Sequence, residues 1–485
     1  MKKNYLLLIF LAFSSGCYSI LPSKGGGQTD IKSDTRAITP NDIALPAGYA
    51  IEAVATGLTF PTGVAFDEQG QVYVVEAGYS YGEEFLEPRL LRIEQNGNLT
   101  TIATGQKNGP WTGVAYHNGN FYVAEGGQIS GGKLLRISRS GDISAILENL
   151  PSLGDHHTNG PVVGPDGNLY FGLGTATNSG VVGPDNYDYG WLKRHPEFHD
   201  IPCQDITLTG QNYSSEIPLE AKPGKQQTGA YSPYGEATTQ GQVIKGSIPC
   251  SGAVLRVAPE GKSMELVAWG FRNPFGLAFS PAGVLYVSDN GFDVRGSRPV
   301  WGTGDYLWQV EQGQWYGWPD YSGGHAFNGD RFGPPGEKAP QPLLAQHPNK
   351  PPKPAATLGV HSSSNGLDFS RSSSFGYQGE AFIAQFGDMA PDVGKVLAPV
   401  GYKVVRVNVE TGVVTDFVAN KGKKTAPASK LKSGGLERPV SVKFSPDGQS
   451  LYIVDFGVME MTKEGPNPKH KTGVIWKVSK RGGTP

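Results

Sequence analysis

Short runs of alternating apolar and polar residues recur along the chain, separated by turns that contain glycine. A period of two puts every second side chain on one face, which is the pattern of a strand with one buried side. FPTGVAFDEQGQVYVVEAG, from Phe60, predicts two such strands about the turn DEQG. The unit returns as WTGVAYHNGNFYVAEGG from Trp111, TNGPVVGPDGNLYFGLG from Thr158 and FRNPFGLAFSPAGVLYVSDNG from Phe271. It returns again as SNGLDFSRSSSFGYQGEAFIAQFG from Ser364 and RPVSVKFSPDGQSLYIVDFG from Arg438, which makes six copies. Two more strands follow most copies, as in LLRIEQNGNLTTIATG from Leu90 and YKVVRVNVETGVVTDFV from Tyr402.

Six units of roughly four strands predict an all-β fold, a six-bladed β-propeller. The last unit has only one outer strand, VIWKVSKRG from Val474. Its missing partner is available near the other terminus, in GYAIEAVATG from Gly48, so an N-terminal strand pairing with the last blade closes the ring. A β-sandwich does not explain six matched copies, and no long segment shows a helical period. Two insertions interrupt the repeat. One covers about 181–249 and is expected between the third and fourth blades; the other covers about 292–353. The 68 glycines and 37 prolines suit many short strands with frequent turns.

The first residues stand apart from this pattern. Lys2 and Lys3 precede an apolar run from Leu6 to Phe13, and Ser14, Ser15 and Gly16 lead to Cys17. The run is too short to span a bilayer and reads as an export signal. It resembles a bacterial lipoprotein signal, which implies a signal peptide over 1–16, lipidation of Cys17 and a tether over 17–44. The propeller then occupies 45–485. Tyr18, rather than an aspartate, follows the cysteine, which points to the outer membrane of the cell envelope. Membrane contact is expected through the lipid anchor only. Export leaves Cys203 and Cys250 as an even pair in an oxidising compartment, where a disulfide is expected. A formal net charge of -2 and the lack of a basic tract argue against nucleic acid as a partner.

Polar residues collect where the repeats meet. His156, His157 and Asn159 precede the third copy, Arg272 and Asn273 the fourth, His361 and Asn365 the fifth, with Arg438 at the sixth. Glu76, Glu125, Asp289 with Asn290, Asp388 and Asp455 follow second strands. One polar channel mouth is expected to gather them.

The motifs DHHTNGPVVGPDGNLYFGLG, GFRNPFGLAFSPAG and QWYGWPDYSGG resemble the glucose/sorbosone dehydrogenase family, soluble six-bladed propellers that use pyrroloquinoline quinone (PQQ) and calcium. The resemblance implies oxidation of an aldose or sugar aldehyde, with electrons passed to an external acceptor. It assigns the general base to His156, with His157 one residue away as the rival. It assigns PQQ contacts to Arg272 and Asn273, with Lys403 and Arg438 as further candidates, and calcium contacts to Asn290 and Gly291. Gly160 and Pro161 stand where the family often carries an arginine, and Phe292 stands where the glucose enzymes have a proline. These departures resemble the broader sorbosone-type branch. The residues also admit two other readings. One is a quinone-free, calcium-dependent hydrolase of lactonase type using Glu76, Asp289 or Asp455, with Asn159 and Asn273. The other is a non-catalytic propeller that binds carbohydrate or protein.

Overall fold

A computed structural model describes Gly27 and residues 35–481, apart from 391, 392, 395 and 463. Cys17 therefore lies outside the described residues. The chain forms six radial sheets of antiparallel strands, as the repeats predict. The first blade uses Pro61–Phe66, Val72–Glu76, Arg89–Ile93 and Leu99–Thr104, and the second has the same serial order from Trp111–His117 to Ile143–Leu150. The sixth combines Pro439–Phe444, Ser450–Asp455 and Gly473–Lys480 with Tyr49–Leu58. That last pairing runs from Tyr49 opposite Lys480 to Leu58 opposite Gly473, so the expected closure is present.

Apolar faces are buried between neighbouring blades. Trp111, Phe121, Leu90 and Val123 pack between the first and second. Phe375, Phe382, Phe417, Phe444 and Trp476 pack between the fifth and sixth. The innermost strands come close to one another around the axis. A Cβ on Gly276 would lie 2.3 Å from the carbonyl oxygen of Asn365, so this approach requires glycine. A channel of about 770 Å³ remains, lined by Val64, Val114, Val162, Leu277, Leu367 and Val442 from the six first strands.

The insertions sit inside blades rather than between them. The third sheet runs Thr158–Val163, Leu169–Leu173, Ala253–Val257, Glu265–Trp269, so the segment 181–249 separates its second and third strands. It carries two short helices, Pro184–Asp188 and Trp191–Arg194, and is tied by the Cys203–Cys250 disulfide. The fourth blade takes its outermost strand from Ala356–Gly359, beyond the second insertion. Sequence distance conceals this, because a blade's outer strands pair by backbone hydrogen bonds that carry little residue preference. The end of the segment expected as a tether lies against the propeller. The Arg36 side chain is 3% exposed, pairs with Asp455 at 2.5 Å and donates to the carbonyl of Thr472 at 2.9 Å. No helix among the described residues is long and apolar enough to cross a membrane.

The acids after the second strands do not gather at one mouth. They accept from backbone and side-chain donors close by in the fold. Asp289 accepts from the backbone N–H of Arg272 at 3.1 Å and of Asn273 at 2.8 Å, and from the indole of Trp308 at 3.3 Å. Asp455 does the same for Glu437, Arg438 and the indole of Trp476. Glu76 accepts from the N–H of Thr59 and from Arg89, and Glu125 from Asn108 and the indole of Trp111. A carboxylate at this point satisfies buried donors that would otherwise be costly.

Candidate active site

His156 lies in the turn that enters the third blade, and its position is set by backbone. Its N–H donates to the carbonyl of Thr175 at 3.2 Å. A Cβ on Gly174 would fall 2.1 Å from the His156 Cβ, so only glycine leaves room for the ring there. Nδ1 faces the Thr175 carbonyl at 2.9 Å and the Thr175 hydroxyl at 3.1 Å. That hydroxyl already donates to the carbonyl of Thr177 at 2.7 Å, so it can only accept from the imidazole. Nδ1 therefore carries the proton, and Nε2 presents a lone pair. Burial pushes the His156 pKa down to about 4, with Asp155 opposing and Arg272 and Arg295 assisting. The ring is neutral near pH 7.

Around it is a polar cavity of about 90 Å³ whose wall includes His156, Arg272, Asn273, Asn290 and Gly291. Five of the residues expected at the site thus come together. Asn159 donates to the Asn273 side chain at 3.0 Å, Asn273 to Asn290 at 2.9 Å, and Asn290 to the carbonyl of Ser364 at 3.0 Å. This amide chain fixes the rotamers of three neighbouring blades. Gly291 donates to Asp305 at 3.0 Å. His361 and Ser363 complete the wall, with left-handed φ angles of 54° and 49°, a backbone strain that often marks functional sites.

The other expected residues go elsewhere. Lys403, in the third strand of the fifth blade, pairs with Asp416 at 2.7 Å and is not part of the cavity wall. Lys403 is thus not among the residues gathered at the cavity. Arg438 is fully buried between the rings of Phe386 and Tyr402. Its Nη1 faces the carbonyls of Phe386, Gly387 and Asp388 at 3.2–3.4 Å, so it braces the Gly387 segment behind the cavity. His157 points away from His156 and lines a second, apolar chamber. Glu76, Asp289 and Asp455 belong to three different blades and do not converge. Among the described residues, no group of His, Cys, Asp and Glu is arranged to hold a metal.

Sequence reasoning missed an ionic network at the cavity. Arg272 donates to Asp293 at 2.7 Å and to the Asn178 side chain at 2.9 Å, and lies 3.7 Å from Asp155. Arg295 pairs with Asp155, with Asp185 at 2.5 Å and with Asp293 at 2.9 Å. Burial works to raise the pKa values of Asp155 and Asp293, but the two guanidiniums outweigh it and hold both below the ordinary range. Asp185 stays above its ordinary value, because burial there exceeds what Arg295 returns. The one sequence hint was FDVR after the fourth copy, an acid and an arginine two apart. Asp185 comes from the third-blade insertion, which has no motif.

A family model described as Glucose / Sorbosone dehydrogenase matches residues 236–390. That span holds Arg272, Asn273, Asn290, Gly291, Asp293 and Arg295, but not His156. No curated protein matches the chain. Among solved structures, the PQQ-bound aldose sugar dehydrogenase of Streptomyces coelicolor superposes with a TM-score of 0.51 at 16% identity, over 90% of this chain and 99% of that one. The soluble aldose sugar dehydrogenase of Escherichia coli, in its apo form, gives 0.52 at 16%, over 89% and 100%. The PQQ domain of Coprinopsis cinerea pyranose dehydrogenase, in its holo form, gives 0.52 at 14%, over 90% and 97%. At such identities the likeness establishes the shared fold.

Proposed function

We propose that the polar cavity is the reaction site of an oxidoreductase acting on a sugar hydroxyl, with His156 taking the hydroxyl proton while the hydride on the same carbon passes to a quinone-class acceptor supplied from outside the chain. The observation that carries this reading is the fixed tautomer of His156. A neutral imidazole whose Nδ1–H is tied to Thr175 presents its Nε2 lone pair as a general base, with an Asp155 carboxylate oxygen 3.6 Å away to stabilise the imidazolium that forms. Asn273 and Asn290 offer amide groups suited to neighbouring hydroxyls of a neutral polyol. The family match over the Arg272 segment and the shared fold with sugar dehydrogenases support the same reaction class.

The PQQ named for two of the solved structures does not fit this cavity as it stands. PQQ carries three carboxylates. The cavity and its rim hold two guanidiniums, Arg272 and Arg295, already matched by the carboxylates of Asp155, Asp185 and Asp293. The further cations Lys403 and Arg438 are not at the wall. No step is therefore routed through PQQ or its calcium.

Dye reduction with a panel of aldoses and sugar aldehydes tests the function, with PQQ plus calcium and neutral quinones each offered as acceptor. Turnover is expected with at least one acceptor, and His156→Gln is expected to lower it by about 10²–10⁴-fold without unfolding the protein. Absence of turnover with every acceptor, or an unchanged rate in His156→Gln, overturns the reading. The export signal carries a separate proposal, that the domain is anchored to the outer membrane through Cys17. Labelling with a radioactive fatty acid should mark the wild type and not Cys17→Ala.

A further inference from the structure

The acceptors that fix the His156 tautomer sit on residues 175–177, which follow the strand Leu169–Leu173 and belong to no strand themselves. One side of this segment faces the base. The carbonyl of Ala176 accepts from the N–H of Asp155 at 3.0 Å, and that of Thr175 from the N–H of His156 at 3.2 Å. A Cβ on Gly154 would lie 2.3 Å from the Ala176 carbonyl oxygen, so glycine is what lets the two segments meet. The other side meets a carboxylate from the third-blade insertion. Asp200 is 1% exposed and is not part of the cavity wall. Its Oδ1 accepts from the N–H of Ala176 at 2.6 Å, and its Oδ2 from the hydroxyl of Thr177. That hydroxyl also accepts from the N–H of Gly180 at 2.8 Å. Burial pushes the Asp200 pKa up to about 7 despite these donors, so the carboxyl is kept there at a cost. The chain beyond it is anchored in turn. Ile201 donates to the Ser251 hydroxyl at 3.0 Å, Ser251 donates to the Ile201 carbonyl at 2.9 Å, and the Cys203–Cys250 disulfide joins the same two segments.

We propose that Asp200 is a positioning residue for the base: by gripping Ala176 and Thr177 it aims the Thr175 carbonyl and hydroxyl at Nδ1 and so keeps the His156 lone pair on Nε2. The inference rests on the reading of His156 as the base. The lever is a single peptide plane. The Thr175 carbonyl and the Ala176 N–H belong to the same rigid unit, so a grip on the N–H sets the direction of the carbonyl. The Thr175 hydroxyl is set from the same side, because it donates to the Thr177 carbonyl at 2.7 Å. The imidazole has a competing choice. An oxygen of Asp155 stands 3.6 Å from Nε2 and favours a proton there. Once the peptide plane turns, the proton moves to Nε2, the lone pair faces Thr175, and no proton is taken from the cavity. The grip needs hydrogen-bonding atoms rather than a charge. A protonated Asp200, or an asparagine in its place, still accepts from Ala176 and donates to the second lone pair of the Thr177 hydroxyl. Titration of Asp200 therefore leaves the base in place, whereas loss of its side chain does not.

The test uses the whole protein with isotopically labelled histidine. Long-range proton–nitrogen NMR spectra separate the two neutral tautomers, and the signals lost in His156→Gln identify His156 among the nine histidines. Wild type is expected in the Nδ1–H form alone. Asp200→Ala should show both forms. Its kcat should fall by about 10–100-fold, the scale on which the outer partners of ligating histidines act, with KM little changed because Asp200 does not reach the cavity. Asp200→Asn should recover the Nδ1–H form and most of kcat. Thr177→Val removes the gripped hydroxyl and keeps its shape, so it carries the test if Asp200→Ala folds poorly; it too should show both forms, and Thr177→Ser should restore one. A His156 tautomer unchanged in Asp200→Ala and Thr177→Val overturns the proposal, as does Asp200→Asn behaving like Asp200→Ala. The spectra need no turnover, so the two readings fail separately. Mixed tautomers in Asp200→Ala beside an unchanged rate in His156→Gln overturn the base and not the grip.

Discussion

Replacing Arg295 with methionine should destabilise the protein in a way that depends on pH. The guanidinium is 10% exposed and pairs with Asp155, Asp185 and Asp293 at once. Methionine has similar length and no charge. Asp155 and Asp293 retain Arg272, at 3.7 and 2.7 Å. Asp185 keeps no cation, and its Oδ1 already lacks a hydrogen bond. Breaking a buried pair by removing one partner costs about 3–5 kcal/mol, chiefly the charge left behind. An unfolding entropy of about 2 cal/mol/K per residue gives roughly 0.9 kcal/mol per degree for a domain of this size, so Tm should fall by about 3–5 °C at pH 7. The pH trend follows from the carboxylates. Asp155 and Asp293 are depressed in the folded state, so their stabilisation is present above the unfolded carboxyl range near 4 and is lost as pH falls through the folded values. In the variant these groups and Asp185 protonate more readily. The gap to wild type should therefore be widest near neutrality and narrow as pH drops through about 4. Differential scanning calorimetry at pH 7 and pH 4 measures it. The double variant Arg295→Met with Asp185→Leu should recover part of the loss, because an apolar pair replaces a broken ionic one. A gap equal at both pH values, or a double variant less stable than the single one, would refute the reasoning.

Three further predictions concern the base and the scaffold. Because burial pushes His156 down to about 4, kcat/KM should rise with pH through about 4 and stay level across the ordinary imidazole range; an inflection near 6.5 in the pH–rate profile contradicts the fixed, buried base. Asp455→Ala strands the N–H groups of Glu437 and Arg438, the indole of Trp476 and the charge of Arg36, and should cost about 3–5 kcal/mol in denaturant unfolding, with Asp455→Asn losing less. Removing the Cys203–Cys250 link frees a loop with a separation of 47 residues, worth about 4 kcal/mol by chain entropy. Limited proteolysis should then cut the third-blade insertion first, and on the entropy scale used above Tm should fall by about 4 °C.

Much of this architecture was readable in the chain. Period-two strands about glycine-containing turns, such as DEQG, GPDG and SPDG, mark the blades, and the lone final strand points to its partner near Gly48. The polar residues were harder. A carboxylate at the end of an inner strand looks the same in sequence whether it faces a ligand or its own backbone, and Asp289 and Asp455 do the second. His156 was the assigned base with His157 as its rival one residue away, and the structure puts His156 at a polar cavity and His157 at an apolar one. The Arg295–Asp185 pair joins residues 110 positions apart, one of them in an insertion with no repeat to set its register. Lys403 was a charge at a plausible place in the motif, but its ammonium pairs with Asp416 and the residue is not part of the cavity wall.

The pairing of Tyr49–Leu58 with Gly473–Lys480 also sets a clock. The N-terminal strand emerges early in synthesis and has no partner until the final one is made. At about 5–20 residues per second that wait lasts roughly 20–80 s. Through that interval five blades can assemble, yet the first and the last have no shared wall, and both sheet edges stay open to other chains. The ring thus makes completion of the chain a checkpoint for compactness. Proteolysis of ribosome-bound chains arrested before Gly473 and after Lys480 should show protection of Tyr49–Leu58 only in the second set.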